Sequence, residues 1–548
     1  MGLIDLLKTE TAGARGDIAI AVAASGVANA VILAVINAAA TTPSSVVNFR
    51  YLMMFVIAIT VYIVGFKYTF DMSTQIFERM LDRIRTRLVE KIAGSELMLL
   101  DQVGKAQIFK RITQDTTVIS ESQGLLVAAL HSSIMVLCTA FYILTISLAG
   151  FLTTIGLAGC GLIIYLGRQR ELESYMQRAA QEEVAFVALT NDLVDGLKEV
   201  KMNHARAEHL LAHLQQISRE LREIKIHTTN LYNKNAVFSQ CFFYVLIAVI
   251  VFVLPQWVFS FNNVVPQLVA AVLFIIGPLS TIVTALPAFS KSNIAAESIS
   301  SLELAIDEFN ARYGAVTADG AALEFKESIA VHELTFQYVD QYGRGFMIGP
   351  LDVTIEKGRI VMIAGGNGSG KTTFLKLLTA LYFPDSGSLT IDGTLVRREN
   401  LQNYRELFST VFSDFHLFQT LYGAGAISHD EVAALLKLMQ IEEKIGFSEG
   451  KFSTLDLSTG QRKRLALAIA LLENRPIMVF DEWAADQDPD FRRYFYEVLL
   501  PDLRSRGKTL VLATHDDRYF HIADVVIRME SGKIADSHAF DDQTLERP

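Results

Sequence analysis

Apolar residues in this chain of 548 residues gather into six uninterrupted blocks before residue 290, whereas apolar and charged positions intermix after it. A bilayer core needs about 20 consecutive apolar residues per spanning helix. Ile18 to Ala40, Phe49 to Phe70, Gly124 to Leu148, Ala236 to Trp257 and Pro266 to Phe289 meet that length, and Phe151 to Leu166 is shorter. Six spanning helices are predicted. The first block is too long for a signal-peptide core and follows a mixture of charges (Asp5, Lys8, Glu10, Arg15, Asp17), so it is read as a retained span.

The connections between blocks differ in charge. Thr41 to Asn48, the turn near Gly150 and Gln256 to Val265 contain no Lys or Arg. The two long connections are basic, one carrying Arg79, Arg83, Arg85, Arg87, Lys91, Lys105, Lys110 and Arg111, the other Arg168, Arg170, Arg178, Lys198, Lys201, Arg206, Arg219, Arg222, Lys225 and Lys234. The positive-inside rule places both long connections, and both termini, in the cytoplasm. Asp71 to Leu100 and Arg168 to Asn235 are nearly free of proline and glycine and have helical periodicity. They predict spanning helices that continue outward as a stalk, a 30-residue helix being about 45 Å long.

Composition narrows the reading. Hydrophobic residues make up 51% and charged residues 20%, with net charge −10; mean hydropathy is +0.31. Disordered, collagenous and disulfide-rich classes are excluded. A pI near 5.6 with no basic tract argues against nucleic acid as a partner. Cys138, Cys160 and Cys241 lie in apolar stretches without metal-ligand spacing and read as packed or lipid-facing thiols. No Asp, Glu, Lys or Arg lies deep inside a span, so coupling to an ion gradient is not expected, and His131 near mid-span reads as a packing residue. Energy must come from elsewhere.

That source lies after the spans. Arg359 to Ala364 reads as a buried strand running into Gly365, Gly366, Asn367, Gly368, Ser369, Gly370, Lys371, Thr372 and Thr373, then a helical FLKLLTAL. This is G-x-x-x-x-G-K-[ST] in its strand–loop–helix context. Glycines let backbone N–H groups and the helix N-terminus face phosphate oxygens. Lys371 is expected on the β/γ-phosphates of ATP, and the Thr372 hydroxyl on Mg²⁺, which prefers oxygen ligands. A second apolar strand, Ile477 to Phe480, ends in Asp481-Glu482. Asp481 is expected to hold Mg²⁺, and Glu482 to orient or deprotonate the attacking water.

Between these motifs, Leu457-Ser458-Thr459-Gly460-Gln461 opens the helix RKRLALAIALL. The chain here resembles the ATP-binding cassette (ABC) transporters, whose signature is LSGGQ; Thr459 is a departure. The resemblance implies that Tyr338 stacks on adenine, that Asp488 is the D-loop aspartate, and that His515 contacts the γ-phosphate. The coupling-loop glutamine of the family is missing, with Ser413 in its place. Serine is too short to reach Mg²⁺ and water as glutamine does, which leaves Asp414, a water or a differently tuned coupling. Six spans and one cassette imply a half-transporter, an all-α six-helix type IV exporter-like membrane domain fused to an α/β phosphate-loop cassette. The implied form is a homodimer in which each signature closes over the partner's phosphate loop. Elbows meeting the cassettes are expected at Gly104 to Ile112 and at Asp195 to Lys201.

The runs Asp481 to Pro489, Phe491 to Arg493 and Thr514 to Phe520 depart from the usual DEPTSALD and SHR patterns. They resemble the cyclic-peptide and siderophore exporter branch, which includes exporters of pyoverdine-type precursors. The implied activity is ATP-driven export of such a cargo, by alternating access, from the cytoplasm across a bacterial inner membrane; whether periplasmic partners receive it is left open. The short segment before Ile18 leaves no room for a leader-peptide protease, which argues against processing-type bacteriocin exporters. Lipids, drugs or small antimicrobial peptides are the alternative cargo. An ATP-gated channel or sensor is disfavoured by the intact Glu482. Expected boundaries are 1–310 for the membrane domain with its stalk, 311–327 for a linker and 328–548 for the cassette.

Overall fold

The computed structural model describes residues 2–10, 15–41, 48–257, 264–313, 323–339, 345–423 and 428–539. The chain divides into two compact units, Met1–Arg85 with Thr113–Ser300, and Thr86–Ile112 with Ser301–Pro548.

The first half of the chain is helical: α1 (Leu3–Glu10), α2 (Arg15–Thr41), α3 (Phe49–Ala93), α4 (Leu97–Val103), α5 (Lys105–Lys110), α6 (Thr116–Ile146), α7 (Leu148–Asp195), α8 (Leu197–Met202), α9 (His204–Ala248), α10 (Leu254–Trp257) and α11 (Val265–Tyr313). Among the described residues six helical segments are long and apolar enough to cross a membrane, and each predicted block overlaps one of them. α3, α7, α9 and α11 have 45, 48, 45 and 49 residues, far beyond the roughly 20 a bilayer core requires. The predicted continuation of the spans into long helices is therefore present.

His131 and Asn37, two buried polar side chains of the first unit, make contacts between helices. His131 is 2% exposed; its Nε2 lies 2.8 Å from Ser25 Oγ, and its ring meets Phe66 edge-on at 5.0 Å. Asn37 donates to Tyr142 Oη at 3.1 Å and to the Gln267 carbonyl at 3.3 Å. The packing role expected for His131 accords with these contacts.

In the second unit the stalk ends earlier than predicted. α3 stops at Ala93, the chain turns through Gly94 and Ser95, and α4 begins after Glu96. The elbow that meets the cassette is Glu96 to Asp101, one short helix before the expected Gly104 to Ile112. Glu96 is 4% exposed and pairs with Arg405 at 2.5 Å. Tyr382 donates to Asp101 at 2.6 Å, and Leu97 and Met98 pack on the cassette core. Apolar residues over a buried carboxylate fix this segment; Gly104 to Ile112 forms α5 and a following π-helical turn. The second expected elbow, Asp195 to Lys201, coincides with α8, which belongs to the first unit and buries no residue. Arg87–Glu303 and Lys91–Asp307, both at 2.7 Å, join α3 to α11. α11 runs to Tyr313; 314–322, within the expected linker, lies outside the described residues.

The cassette contains β1 (Ser328–Val339), β2 (Gly345–Glu356), β3 (Ile360–Ala364), α12 (Lys371–Leu378), β4 (Ser386–Ile391), β5 (Thr394–Leu395), α13 (Leu401–Arg405), β6 (Phe408–Val411), α14 (His429–Leu438), β7 (Phe447–Ser448), β8 (Lys451–Phe452), α15 (Thr459–Leu472), β9 (Ile477–Asp481), α16 (Pro489–Tyr494), α17 (Leu500–Ser505), β10 (Thr509–Ala513), β11 (Val525–Glu530) and β12 (Lys533–Ala539). The larger sheet has the order β12-β11-β3-β10-β9-β6, parallel except for the β11–β12 pair. β3, β9 and β10 are buried at every residue, as expected for central strands covered on both faces. An antiparallel sheet, β2-β1-β4-β5, packs its apolar face on the same core. Adjacent parallel strands end together, so Ala364, Asp481 and Ala513 release their loops at one edge, where α/β sheets bind ligands.

Candidate active site

Three loops meet at that edge. The loop after β3 runs into α12, and Gly370 caps the helix at φ 103°, a left-handed conformation that glycine adopts without a side-chain clash. Lys371 is 5% exposed. Its Nζ donates to the carbonyls of Gly365 at 2.9 Å and Gly366 at 3.1 Å and lies 3.3 Å from Glu482 Oε1. Ser369 donates no described hydrogen bond from its buried Oγ. Gly368 is a turn position at φ 77°, and Thr373 continues α12.

β9 delivers Asp481, 1% exposed. Thr372 Oγ1 and Ser413 Oγ both donate to Asp481 Oδ2 at 2.9 Å, while the buried Oδ1 has no hydrogen-bond partner. The short side chain of Ser413 reaches this carboxylate because the backbone after β6 approaches it; Asp414 points instead to Lys376 at 3.9 Å. Two hydroxyls around a carboxylate with a free oxygen fit a hard divalent cation such as Mg²⁺. Among the described residues no group of three or more His, Cys, Asp and Glu could hold a metal ion. Glu482 follows with φ 48° and ψ 35°, and His515, after β10, places Nδ1 4.0 Å from its Oε1.

The signature is built differently. Ser458 caps α15, accepting from Gln461 N at 3.3 Å, while Gln461 Oε1 accepts from Ser458 N at 3.1 Å. This reciprocal box satisfies two helix-end donors. Leu457 precedes the cap, and Thr459 begins the helix with its side chain exposed. A Cβ on Gly460 would sit 2.9 Å from the Asp486 carbonyl, a close approach that excludes larger residues. Among the described residues no hydrogen bond or ion pair joins Leu457 to Gln461 with the loop 365–373.

Asp488 caps α16 and accepts from Phe491 N at 2.9 Å. That bond and the paired Arg464 guanidinium hold its carboxyl below the usual carboxylate range. Tyr338 is the next-to-last residue of β1, with its side chain outside the described residues. Sequence reasoning passed over Lys463, buried two residues after the signature, and Arg464, which joins Gln487 and Asp488. Both sit in a basic run that reads as solvated until α15 is seen to pack against β6 and the turn that follows β9.

Two cavities lie among α7, α9 and α11. One of about 470 Å³ is lined by Glu183, Lys225, Thr228, Thr229 and Lys291. The other, of about 350 Å³, is lined by Tyr165, Phe238, Phe242, Phe243 and Leu246.

A phosphate-loop cassette carried on helices long enough to span a bilayer defines a nucleotide-driven membrane transporter. Residues 18–282 match the ABC transporter transmembrane region and residues 348–485 the ABC transporter ATPase family. The chain is 35% identical over 466 residues to the ATP-binding protein SyrD of Pseudomonas syringae pv. syringae, covering 83% of this chain and 82% of SyrD. It is 24% identical over 480 residues to an ATP-dependent lipid A-core flippase of Burkholderia pseudomallei, covering 84% and 78%. An energy-coupling factor ATP-binding protein, EcfA1 of Mesomycoplasma hyopneumoniae, matches 38% of the chain at 33% identity. The chain belongs to the ABC transporter family. It is a half-transporter of the exporter type, a multi-pass membrane protein whose ATPase is coupled to transport.

Proposed function

We propose that two copies of this chain form a twofold homodimer that exports a non-ribosomal or cyclic peptide, or a siderophore precursor of the pyoverdine type, across a bacterial inner membrane to the periplasm. Both termini are cytoplasmic in this reading. The observation that carries the ATP chemistry is the convergence of Lys371, Thr372, Asp481, Glu482 and His515 at one sheet edge. Tyr338 stacks on adenine, and the loop Gly365 to Thr373 holds the phosphates with Lys371 against their charge. Thr372 and Asp481, with Ser413, would hold Mg²⁺, which when bound neutralises charge on the phosphate oxygens. Glu482 takes the proton of the attacking water, His515 holds the γ-phosphate, and the partner's Leu457–Gln461 segment closes the site beside Asp488. ATP favours the closed cassette pair and hydrolysis releases it, a population shift that turns the spans between their two faces.

The cargo reading rests on the cassette's departures from the usual motifs and on similarity to SyrD across most of both chains. Neighbouring polar and apolar cavities on the same three helices suit an amphipathic solute. Similarity to the lipid A-core flippase favours lipid as the second reading. Inverted membrane vesicles containing the protein should accumulate an amphipathic cyclic peptide or acylated siderophore precursor only with hydrolysable ATP. Retained ATPase with no peptide uptake, or uptake of lipid A-core alone, would overturn the peptide reading.

A further inference from the structure

Glu482 adopts a left-handed backbone, φ 48° and ψ 35°, which costs a side-chain-bearing residue roughly 1–2 kcal/mol. Such strain persists only where the surroundings over-determine it. Three bonds do so here. Glu482 N donates to the Ala513 carbonyl at 3.0 Å, which sets the residue against the end of β10. Lys463 Nζ donates to the Glu482 carbonyl at 2.8 Å. The indole of Trp483, 2% exposed, donates to the Lys463 carbonyl at 2.8 Å and stacks near Phe495 at 4.4 Å. Trp483 stands where the family's usual pattern has proline, a residue that can donate no such bond.

A lysine 5% exposed is uncommon unless paired. Lys463 is paired twice, with the Glu482 carbonyl and with Asp486 at 2.7 Å. Both bonds fall on the segment that carries the proposed base, and neither joins Lys463 to the phosphate loop. We infer that Lys463, braced by Trp483, is a positioning residue for Glu482: it fixes the left-handed peptide and so aims the carboxylate toward Lys371, 3.3 Å away. The inference rests on the assignment of Glu482 as the base. Lys463 bonds the backbone of Glu482 and not its carboxylate, so it acts on where the carboxylate points.

The test uses the full-length transporter in lipid nanodiscs and separates kcat from KM for ATP. Lys463→Met keeps the stem but removes both bonds; kcat should fall about tenfold or more, part of the roughly 10²–10⁴ that a positioned base supplies, with KM within about twofold. Lys463→Arg should recover most of that loss, because its guanidinium reaches the same carbonyl. Asp486→Asn should stay within about threefold of wild type, because the Glu482 bond survives. Glu482→Gln is measured in the same series. If it is inactive while Lys463→Met turns over at the wild-type rate, the positioning role is overturned and the base assignment stands. If Glu482→Gln itself turns over normally, the base assignment fails. Parallel losses of kcat, ATP affinity and melting temperature in Lys463→Met, unrescued by arginine, would mark a purely structural lysine and overturn the inference.

Discussion

The cassette and the membrane unit use polar side chains in opposite ways. In the cassette, residues far apart in sequence converge: Thr372, Ser413 and Asp481 share one carboxylate oxygen, and Lys371 and His515 both approach Glu482. In the membrane unit buried polar groups make small separate contacts, His131 with Ser25, and Asn37 with Tyr142 and the Gln267 carbonyl. Convergence concentrates function, so one substitution should abolish it; isolated pairs in an apolar medium contribute local packing. The comparison teaches where energy enters and where it is only transmitted.

The largest effects should therefore fall at the converged site. Glu482→Gln should lower ATP turnover by roughly 10²–10⁴ while ATP still binds and holds the cassettes together. Lys371→Ala removes a buried ammonium and should weaken ATP binding on the order of a hundredfold, each charged hydrogen bond contributing about 1.5–3 kcal/mol. ATPase assays with nucleotide-binding measurements on purified protein check both. Wild-type turnover in Glu482→Gln would break the contrast at its strongest point.

The two regions were legible in sequence for different reasons. Glycines, Lys371 and Asp481 are demanded by phosphate and cation chemistry at fixed spacing, so the motif named them directly. The six spans were equally legible, because length and apolarity are what a bilayer imposes. The elbow was misplaced because Glu96 looks like one more charge on an amphipathic helix; its buried partner, Arg405, lies about 300 residues on. The bond from Ser413 to Asp481 was not legible, since the approach of the backbone after β6 is a tertiary fact. Lys463 was hidden in a basic run for the same reason.

An intermediate effect belongs to that elbow. Removing one partner of a buried ion pair costs about 3–5 kcal/mol, because the other charge is stranded. Glu96→Ala leaves Arg405 bonded to the Ala380 carbonyl but takes the counter-charge from both Arg405 and Arg398. ATP-driven cargo uptake into inverted vesicles should fall on the order of tenfold for a local cost of that size, with ATPase retained within about threefold. Exchanging the charges, Glu96→Arg with Arg405→Glu, should recover part of the uptake. Equal losses of ATPase and uptake would show that the elbow props up the cassette and does not transmit its state.

Alkali should reach the cassette through a smaller effect. Burial pushes the Tyr496 phenol up to about 12, and its hydrogen bond to Thr514, at 2.9 Å, opposes the shift. The folded state thus favours the neutral phenol. Its contribution is complete below the unfolded value of about 10 and is lost as pH rises from there to about 12, some 2–3 kcal/mol in all. Tyr496→Phe should cost about 1 kcal/mol near neutrality and flatten this alkaline loss. Thermal melts of the two proteins between pH 8 and pH 12, set to span roughly that titration, provide the check.

The smallest effect is expected at the best-buried polar pair of the spans. Ser25 Oγ donates its one proton to the Val22 carbonyl at 3.0 Å, so at the 2.8 Å contact His131 Nε2 must carry the hydrogen and donate to Ser25. Ser25→Ala strands that N–H among apolar side chains and should cost about 1 kcal/mol, the scale of hydrogen bonds between membrane helices. His131→Phe replaces the imidazole with a ring of similar shape beside Phe66 and Tyr62 and leaves Ser25 bonded to Val22, so it should cost less than the alanine variant. ATP turnover and ATP-driven uptake should stay within about twofold in both, a change of under half a kcal/mol. A proton relay through His131 predicts the reverse order, with uptake lost in the phenylalanine variant and dependent on the pH gradient in the wild type. That outcome would make the membrane unit a second place where energy enters and would dissolve the contrast with the cassette.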